Sequence, residues 1–185
     1  MNQPLPQPSK ADVIVLAEIV DHLVDAVGDP SATVRRAIMI LDIDLNPGTT
    51  LNALGERLQL EKSVTSRNVD WLWNQGCVLR KPGRNDAREV ELETSPYAHK
   101  HLQLALRPFG NHHQALIKSL EMFIQLFQKH MPTLRELKAM LTVGAMGKAT
   151  KAQVINHLYD GPPTTDQRAV RHLIEEGVLK DDGER

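Results

Sequence analysis

Apolar residues recur three and four positions apart along most of this chain, and that period predicts a mostly helical protein. Val13, Leu16, Val20, Leu23, Val24 and Val27 share one helical face. Ser9 is placed to cap that helix, and Gly28-Asp29-Pro30 ends it near Val27. β-Branched residues are frequent here, so a strand competes locally. The period and the length favour the helix. A second helix is expected over 31–41, after Pro30, and Asn46-Pro47-Gly48 reads as a turn.

From residue 49 the pattern becomes denser. Thr50 caps a short helix, 51–58, with Leu51, Leu54 and Leu58 inward. A turn over 59–62 follows. Ser63 caps a second helix to about Asn74, and Gly76 stops it. Cys77-Val78-Leu79-Arg80 predicts a strand, 81–87 a polar hairpin tip, and the alternation of Val90 and Leu92 a returning strand over 89–94. Beyond Pro96 a long helical stretch runs over 97–129, with a break near Pro108-Phe109-Gly110. Leu116, Leu120, Phe123, Ile124 and Phe127 line one face of it, a core or dimer seam rather than the lining of a ligand pocket.

After Pro132 a helix is expected over 134–143. Thr150 caps a helix to about 159, and Asp160-Gly161-Pro162-Pro163 turns. Thr164 or Thr165 caps a last helix to 176, ended by Gly177. This region echoes the earlier one. Thr50, Leu54 and Leu58 correspond to Thr150, Val154 and Leu158; Val69, Leu72, Gly76 and Val78 correspond to Val170, Leu173, Gly177 and Leu179. Both segments have the pattern of one supersecondary unit.

Composition changes this picture little, but charge distribution changes it more. At 41% hydrophobic residues and only 4% aromatic, the core is built from Leu, Val, Ile, Ala and Met. The net charge is −1, yet 62–88 holds Lys62, Arg67, Arg80, Lys81, Arg84 and Arg88 against Asp70 and Asp86. The stretch from Lys10 to Asp29 is acidic, with Asp12, Glu18, Asp21, Asp25 and Asp29 against Lys10. Such asymmetry points to one face turned to nucleic acid and another turned away. A single cysteine, Cys77, excludes an internal disulfide and fits a reducing compartment. Residues 1–9 have three prolines and no basic-then-apolar pattern, which reads as a flexible arm and not as a signal peptide. No apolar run approaches the roughly 20 residues of a membrane span. The expected location is the cytoplasm, on the nucleoid.

The helix after Ser63 is the recognition candidate. Val64 or Thr65 packs inward with Val69 and Leu72. The candidate DNA contacts are Thr50, Lys62, Ser63, Thr65, Ser66, Arg67 and Asn68, with Arg84 and Arg88 on the hairpin. Hydroxyls and amides bond phosphates or base edges, Arg pairs bidentately with guanine, and an Arg at a loop tip suits a narrow minor groove. Asp86 stands close enough to Arg88 to pair with it. Gln167, Arg168 and Arg171 are candidates for a second DNA reader, although Asp166 at that helix start would repel phosphate. A buried Cys77 is expected to be inert. His99/His101 and His112/His113 are neighbours that point apart on a helix, so no metal set is expected from them. No cofactor is implied, and no catalytic constellation can be assembled, so an enzyme is not expected.

The stretch resembles the MarR family of bacterial regulators. The matching residues are Thr50-Leu51-x-x-Leu54, Arg57-Leu58, Ser66-Arg67-x-Val69-Asp70-x-Leu72, Gly76-x-Val78-x-Arg80 and Asp86-x-Arg88. The resemblance spans about residues 30–130. It implies a homodimer with interlocked N- and C-terminal helices, and two recognition helices in successive major grooves of double-stranded DNA. It also implies a repressor or activator often released by a small-molecule effector. Ser66 and Arg67 take the family's recognition-helix positions, Asp86 and Arg88 its wing pair. The chain departs from the pattern at Trp71 and Trp73, where polar residues are usual. It departs again at Glu93-Thr94-Ser95-Pro96, where a Leu-Thr and a later Gly usually close the wing, and by continuing about 50 residues further.

The resulting expectation is a mainly α protein with a small β-hairpin wing. A flexible arm (1–9) precedes a winged-helix domain with dimerisation helices (10–132, DNA-binding core 49–94), and a second winged-helix-like unit follows (133–185). The expected function is sequence-specific DNA-binding transcription regulation at a pseudo-palindromic operator. The alternative is a tandem winged-helix replication or plasmid-maintenance protein. A third class is a protein–protein adaptor built on the same scaffold.

Overall fold

The computed structural model describes residues 9–83, 89–127, 130–158 and 163–180. Helix α1 (Lys10–Val27) begins with a reciprocal cap. The Ser9 hydroxyl accepts from Asp12 N, and the Asp12 carboxylate accepts from Ser9 N. Hydrogen bonding to Ser9 holds the Asp12 carboxyl below its ordinary value. The expected apolar stripe is the buried face, with Val13, Val20, Leu23, Val24 and Val27 inside.

Helix α2 (Val34–Leu45) starts later and ends later than the sequence pattern predicts. The reason is tertiary. Pro30 to Ala32 turns, with Ala32 N on Asp29 O at 3.0 Å, Thr33 bridges Thr133, and the segment is tied to the chain entering helix α7 (Leu134–Met146) through Val34 N to Pro132 O (2.8 Å), Leu134 N to Ala32 O (2.9 Å) and Arg135 N to Pro30 O (2.9 Å). Residues Ala37 to Ile43 are all buried, so α2 is the central helix of the core.

A two-residue strand β1 (Thr49–Thr50) follows, which the sequence pattern did not suggest. Helices α3 (Leu51–Arg57) and α4 (Lys62–Asn74) come next, then strands β2 (Val78–Pro82) and β3 (Val90–Thr94). The sheet is antiparallel in the order β1-β3-β2, with Thr49 opposite Leu92 and Arg80 opposite Leu92 on the other side. β1 escapes a sequence reading because two residues carry no period; only β3 defines it.

The long stretch after Pro96 divides. Helix α5 (Pro96–Leu106) ends in a 3-10 turn (Arg107–Phe109), and helix α6 (His113–Gln125) restarts the chain. Pro108 has no N–H to continue the ladder, so the break falls where the sequence placed it. Leu116, Ile117, Leu120 and Phe123 are buried, and α6 packs on α2, so within this chain that face is a core seam.

Helix α7 carries a second reciprocal cap, between Thr133 and Glu136. It lies along α1, where Lys138 pairs with Asp21 and also donates to Ala17 O at 3.2 Å. Helices α8 (Lys151–Ile155) and α9 (Pro163–Glu175) complete the chain. Helix α9 starts at Pro163, ahead of the expected cap at Thr164 or Thr165, because proline is tolerated in a first turn that needs no N–H partner. Among the described residues no strand follows Gly177. Within the described residues the C-terminal unit consists of the helices α7, α8 and α9. One hydrophobic core runs from α1 and α2 through α5 and α6 into α7, α8 and α9. No helix of the described residues is long and apolar enough to cross a membrane.

Candidate nucleic-acid interface

Helix α4 is seated by three inward side chains, Thr65, Val69 and Leu72, all buried. The Thr65 hydroxyl donates to Glu61 O at 3.1 Å. A Cβ on Gly55 would come within 3.1 Å of this hydroxyl and 3.2 Å of Leu60 O, so the close approach of α3 to α4 is eased by the lack of a side chain at residue 55. Thr65 is thereby a packing residue and not the DNA contact proposed from sequence. Ser63 is not the N-cap either. The cap position is Glu61, without a side-chain cap bond, and Ser63 lies in the first turn with its side chain exposed.

The flanks of α4 are braced from both sides. On one, Arg36 of α2 stacks over Trp71, 4.0 Å from the ring centroid, and its Nε donates to Asn68 Oδ1 at 3.3 Å. Asn68 Nδ2 in turn donates to Val64 O at 2.8 Å, so both ends of the Asn68 amide are engaged within the protein. Burial pulls the Arg36 guanidinium below its ordinary value, with Asp29 opposing the shift. On the other flank, Arg80 of β2 is bound to Asp70 and lies 5.0 Å from the Trp73 ring centroid. The two tryptophans that depart from the family pattern are thus platforms for arginines of neighbouring elements.

Below the helix pair, Arg57 grips Asp42. Its Nε is 3.0 Å and its Nη2 2.5 Å from Asp42 Oδ2, and Nη2 donates to Thr49 Oγ1 at 2.8 Å. Two residues on, the Asp44 carboxylate, 1% exposed, accepts from Thr94 Oγ1 (2.6 Å) and Gln103 Nε2 (3.0 Å), and meets His99 Nδ1 at 2.8 Å. These clamps fix α3 and the sheet to α2 and α5. Sequence reasoning missed both. Their signal was two aspartates, at 42 and 44, inside the otherwise apolar run 37–45.

What α4 leaves outward is Lys62, Ser63 and Arg67, with Ser66 half-buried beside them. Among the described residues neither Lys62 nor Arg67 has a carboxylate partner. Arg67 Nε lies along the helix, donating to Ser63 O at 3.3 Å. Thr50 acts locally, since its hydroxyl accepts from Ala53 N at 3.3 Å and caps α3. Lys81 pairs with Glu93 across the hairpin. The hairpin narrows through Gly83 N to Glu89 O at 2.8 Å. Arg84, Asp86 and Arg88 lie outside the described residues.

Helix α2, the β1-α3-turn-α4 segment and a β2-β3 hairpin whose inner strand pairs with β1 make one three-helix, three-strand unit. It is a winged helix. No family model and no curated protein matches the chain. Among solved structures it is similar to wild-type MarR from E. coli, 18% identical over 64% of this chain and 86% of that one, with a TM-score of 0.41. It is also similar to the transcriptional regulator SlyA, 14% identical over 44% of this chain and 56% of that one, TM-score 0.38. A third is Streptococcus pneumoniae FabT in complex with DNA, 19% identical over 46% and 57%, TM-score 0.36. The chain spans less than two thirds of SlyA and of FabT. The winged-helix assignment rests on the strand order and helix pair of this chain itself.

In the C-terminal unit the echo is physical. Thr150 caps α8 as Thr50 caps α3. Gly177 ends α9 at φ 74°, as Gly76 follows α4 at φ 72°, each in the left-handed region that favours glycine. Val178 N bonds Leu173 O at 2.9 Å, as Cys77 N bonds Leu72 O at 3.0 Å. Gln167, Arg168 and Arg171 are exposed on α9. Asp166, expected to repel phosphate there, is instead buried and bound to Arg135 of α7. Cys77 is buried, and desolvation pushes its thiol up to about 11. The histidines group in space differently from their sequence neighbours. Folding gathers His22, Asp25 and His101 in one place, and His130, Glu136 and His172 in another.

Proposed function

We propose that this protein is a double-stranded-DNA-binding transcriptional regulator of the kind the MarR family exemplifies. The observation that carries the reading is the outward face of α4. Lys62, Ser63 and Arg67 are exposed in the first half of a helix braced from both flanks, and among the described residues Lys62 and Arg67 form no ion pair. A rigid helix of this kind suits the major groove, with its N-terminal residues on base edges and phosphates and the hairpin beside the backbone. Ser66 joins the contact set; Asn68 and Thr50 serve it indirectly, by orienting α4 and α3. The chain acts as a homodimer on a pseudo-palindromic operator in the nucleoid. A small-molecule effector is part of the same proposal, supported by an open groove between α7, α8 and α9 that Val143, Ile155 and Ile174 line together with Lys151, Gln167 and Arg171.

A second reading, with two DNA readers per chain as in a replication or plasmid-maintenance protein, is favoured by α9. Its exposed Gln167, Arg168 and Arg171 occupy a helix ended like α4, and Asp166 no longer opposes phosphate. One experiment addresses both. Fluorescence anisotropy with a pool of genomic fragments is expected to show binding that weakens steeply with salt. Arg168→Ala with Arg171→Ala shortens the protected footprint if α9 reads DNA and leaves it unchanged if it does not. Wild-type protein with no affinity at low salt would remove the DNA-binding reading altogether.

A further inference from the structure

Three metal-ligating side chains meet where the chain passes into α7. His130 precedes that helix, Glu136 stands in its first turns, and His172 lies near the end of α9. His130 Nε2 is 2.8 Å and His172 Nδ1 is 3.1 Å from the same oxygen, Glu136 Oε1. Their ligand atoms all lie within 4.8 Å of one another. The Glu136 side chain is 2% exposed, while the His172 side chain is 37% exposed and leaves a way in from solvent.

The groups behind these three are arranged as metal sites arrange them. Glu136 Oε2 accepts from Thr133 N (2.7 Å) and Thr133 Oγ1 (2.9 Å), so the carboxylate is fixed in orientation. The far nitrogen of His130, Nδ1, is 3.4 Å from Glu176 Oε1. A carboxylate on the outer nitrogen of a ligating imidazole sets its tautomer and raises its basicity. Zinc bonds of about 2.0–2.2 Å place tetrahedral ligands roughly 3.3 Å apart. The two separations here need to open only slightly. Two imidazoles and a carboxylate suit zinc-class ions rather than calcium or magnesium, which prefer all-oxygen shells.

We propose that His130, Glu136 and His172 form a binding site for a divalent zinc-class ion, with solvent in the fourth position, and that the ion locks α9 onto α7. The buried Arg135–Asp166 pair already joins the same two helices, so the ion tightens a docked arrangement. The grouping of His22, Asp25 and His101 differs in that its carboxylate is half-exposed, and it serves as the internal control.

The test uses the full-length chain stripped with chelator and titrated with zinc against a chromophoric competitor. The wild type is expected to bind with a rise in Tm that scales with zinc concentration. His130→Ala and His172→Ala each lose the binding and the Tm rise, and His101→Ala keeps both. Glu176→Gln weakens affinity about 10- to 100-fold, as loss of an outer carboxylate does elsewhere. Cobalt substitution of the wild type is expected to give the visible absorption of a four-coordinate site, a readout independent of whether any variant folds. No zinc binding by the wild type, unchanged binding in His172→Ala, or loss in His101→Ala instead would overturn the proposal.

Discussion

Arg57 covers a carboxylate that the apolar α2 would otherwise hold unpaired. Asp42 is buried, and its guanidinium partner also reaches Thr49, so one side chain ties three elements. Arg57→Ala is expected to destabilise the protein by about 1–3 kcal/mol, the cost of leaving the buried Asp42 carboxylate without its charged donor when that donor is itself partly exposed. Arg57→Lys recovers only part of this, since a lysine cannot span both oxygens and the threonine. Urea unfolding of the three proteins checks it. Cys77 makes a second residue-scale case. Burial raises its thiol to about 11, so in the folded protein it stays protonated and unreactive at pH 8. Iodoacetamide is expected to modify it only on unfolding. Unfolded chains ionise the thiol from about pH 9 upward while the folded chain holds its proton, so this group lowers stability between pH 9 and 11. A Cys77→Ala chain lacks that component.

Element by element, α4 separates packing from recognition along a single helix. Thr65, Val69 and Leu72 face in; Asn68, Asp70, Trp71 and Trp73 meet neighbouring elements; Lys62, Ser63 and Arg67 remain. Arg67→Ala is expected to cost about 1–3 kcal/mol at the preferred operator and much less on random DNA, as loss of a base contact does. Lys62→Ala instead weakens all sequences alike and lowers the salt slope by about 1. Anisotropy titrations on both DNAs at several salt concentrations distinguish them. The existence and type of α1, α3, α4, β2, β3 and α9 were legible in the sequence because caps, periods and stop glycines act locally. The start of α2, the strand β1 and the roles of Trp71 and Trp73 were not. The first three are set by partners distant in sequence, Pro132, β3 and Arg36, and the role of Trp73 by Arg80 across the turn into β2.

For the whole molecule, the C-terminal helices are continuous with the core. Helix α7 lies on α1, and Leu134, Leu137, Val154, Val170 and Leu173 are buried with the residues of α1 and α2. A chain ended at Met131 is expected to lose more than about 10 °C of Tm, since several buried side chains and the Arg135 and Lys138 pairs go with it. Thermal circular dichroism measures this, and an unchanged midpoint would show that the C-terminal unit stabilises nothing else. The same packing makes point variants on α9, rather than truncation, the proper probe of a second reader. The sequence alone determined the helical class, the helix-turn-helix with its hairpin, the local concentration of basic residues and the echo near residues 150–180, because those follow from neighbours three or four positions apart. Only the tertiary structure decided which basic residues remain open, that Thr65 and Asp166 are turned inward, and that His130, Glu136 and His172 converge. Pairing across 31 residues, as between Arg135 and Asp166, or 36, as between Glu136 and His172, has no period for a sequence to display.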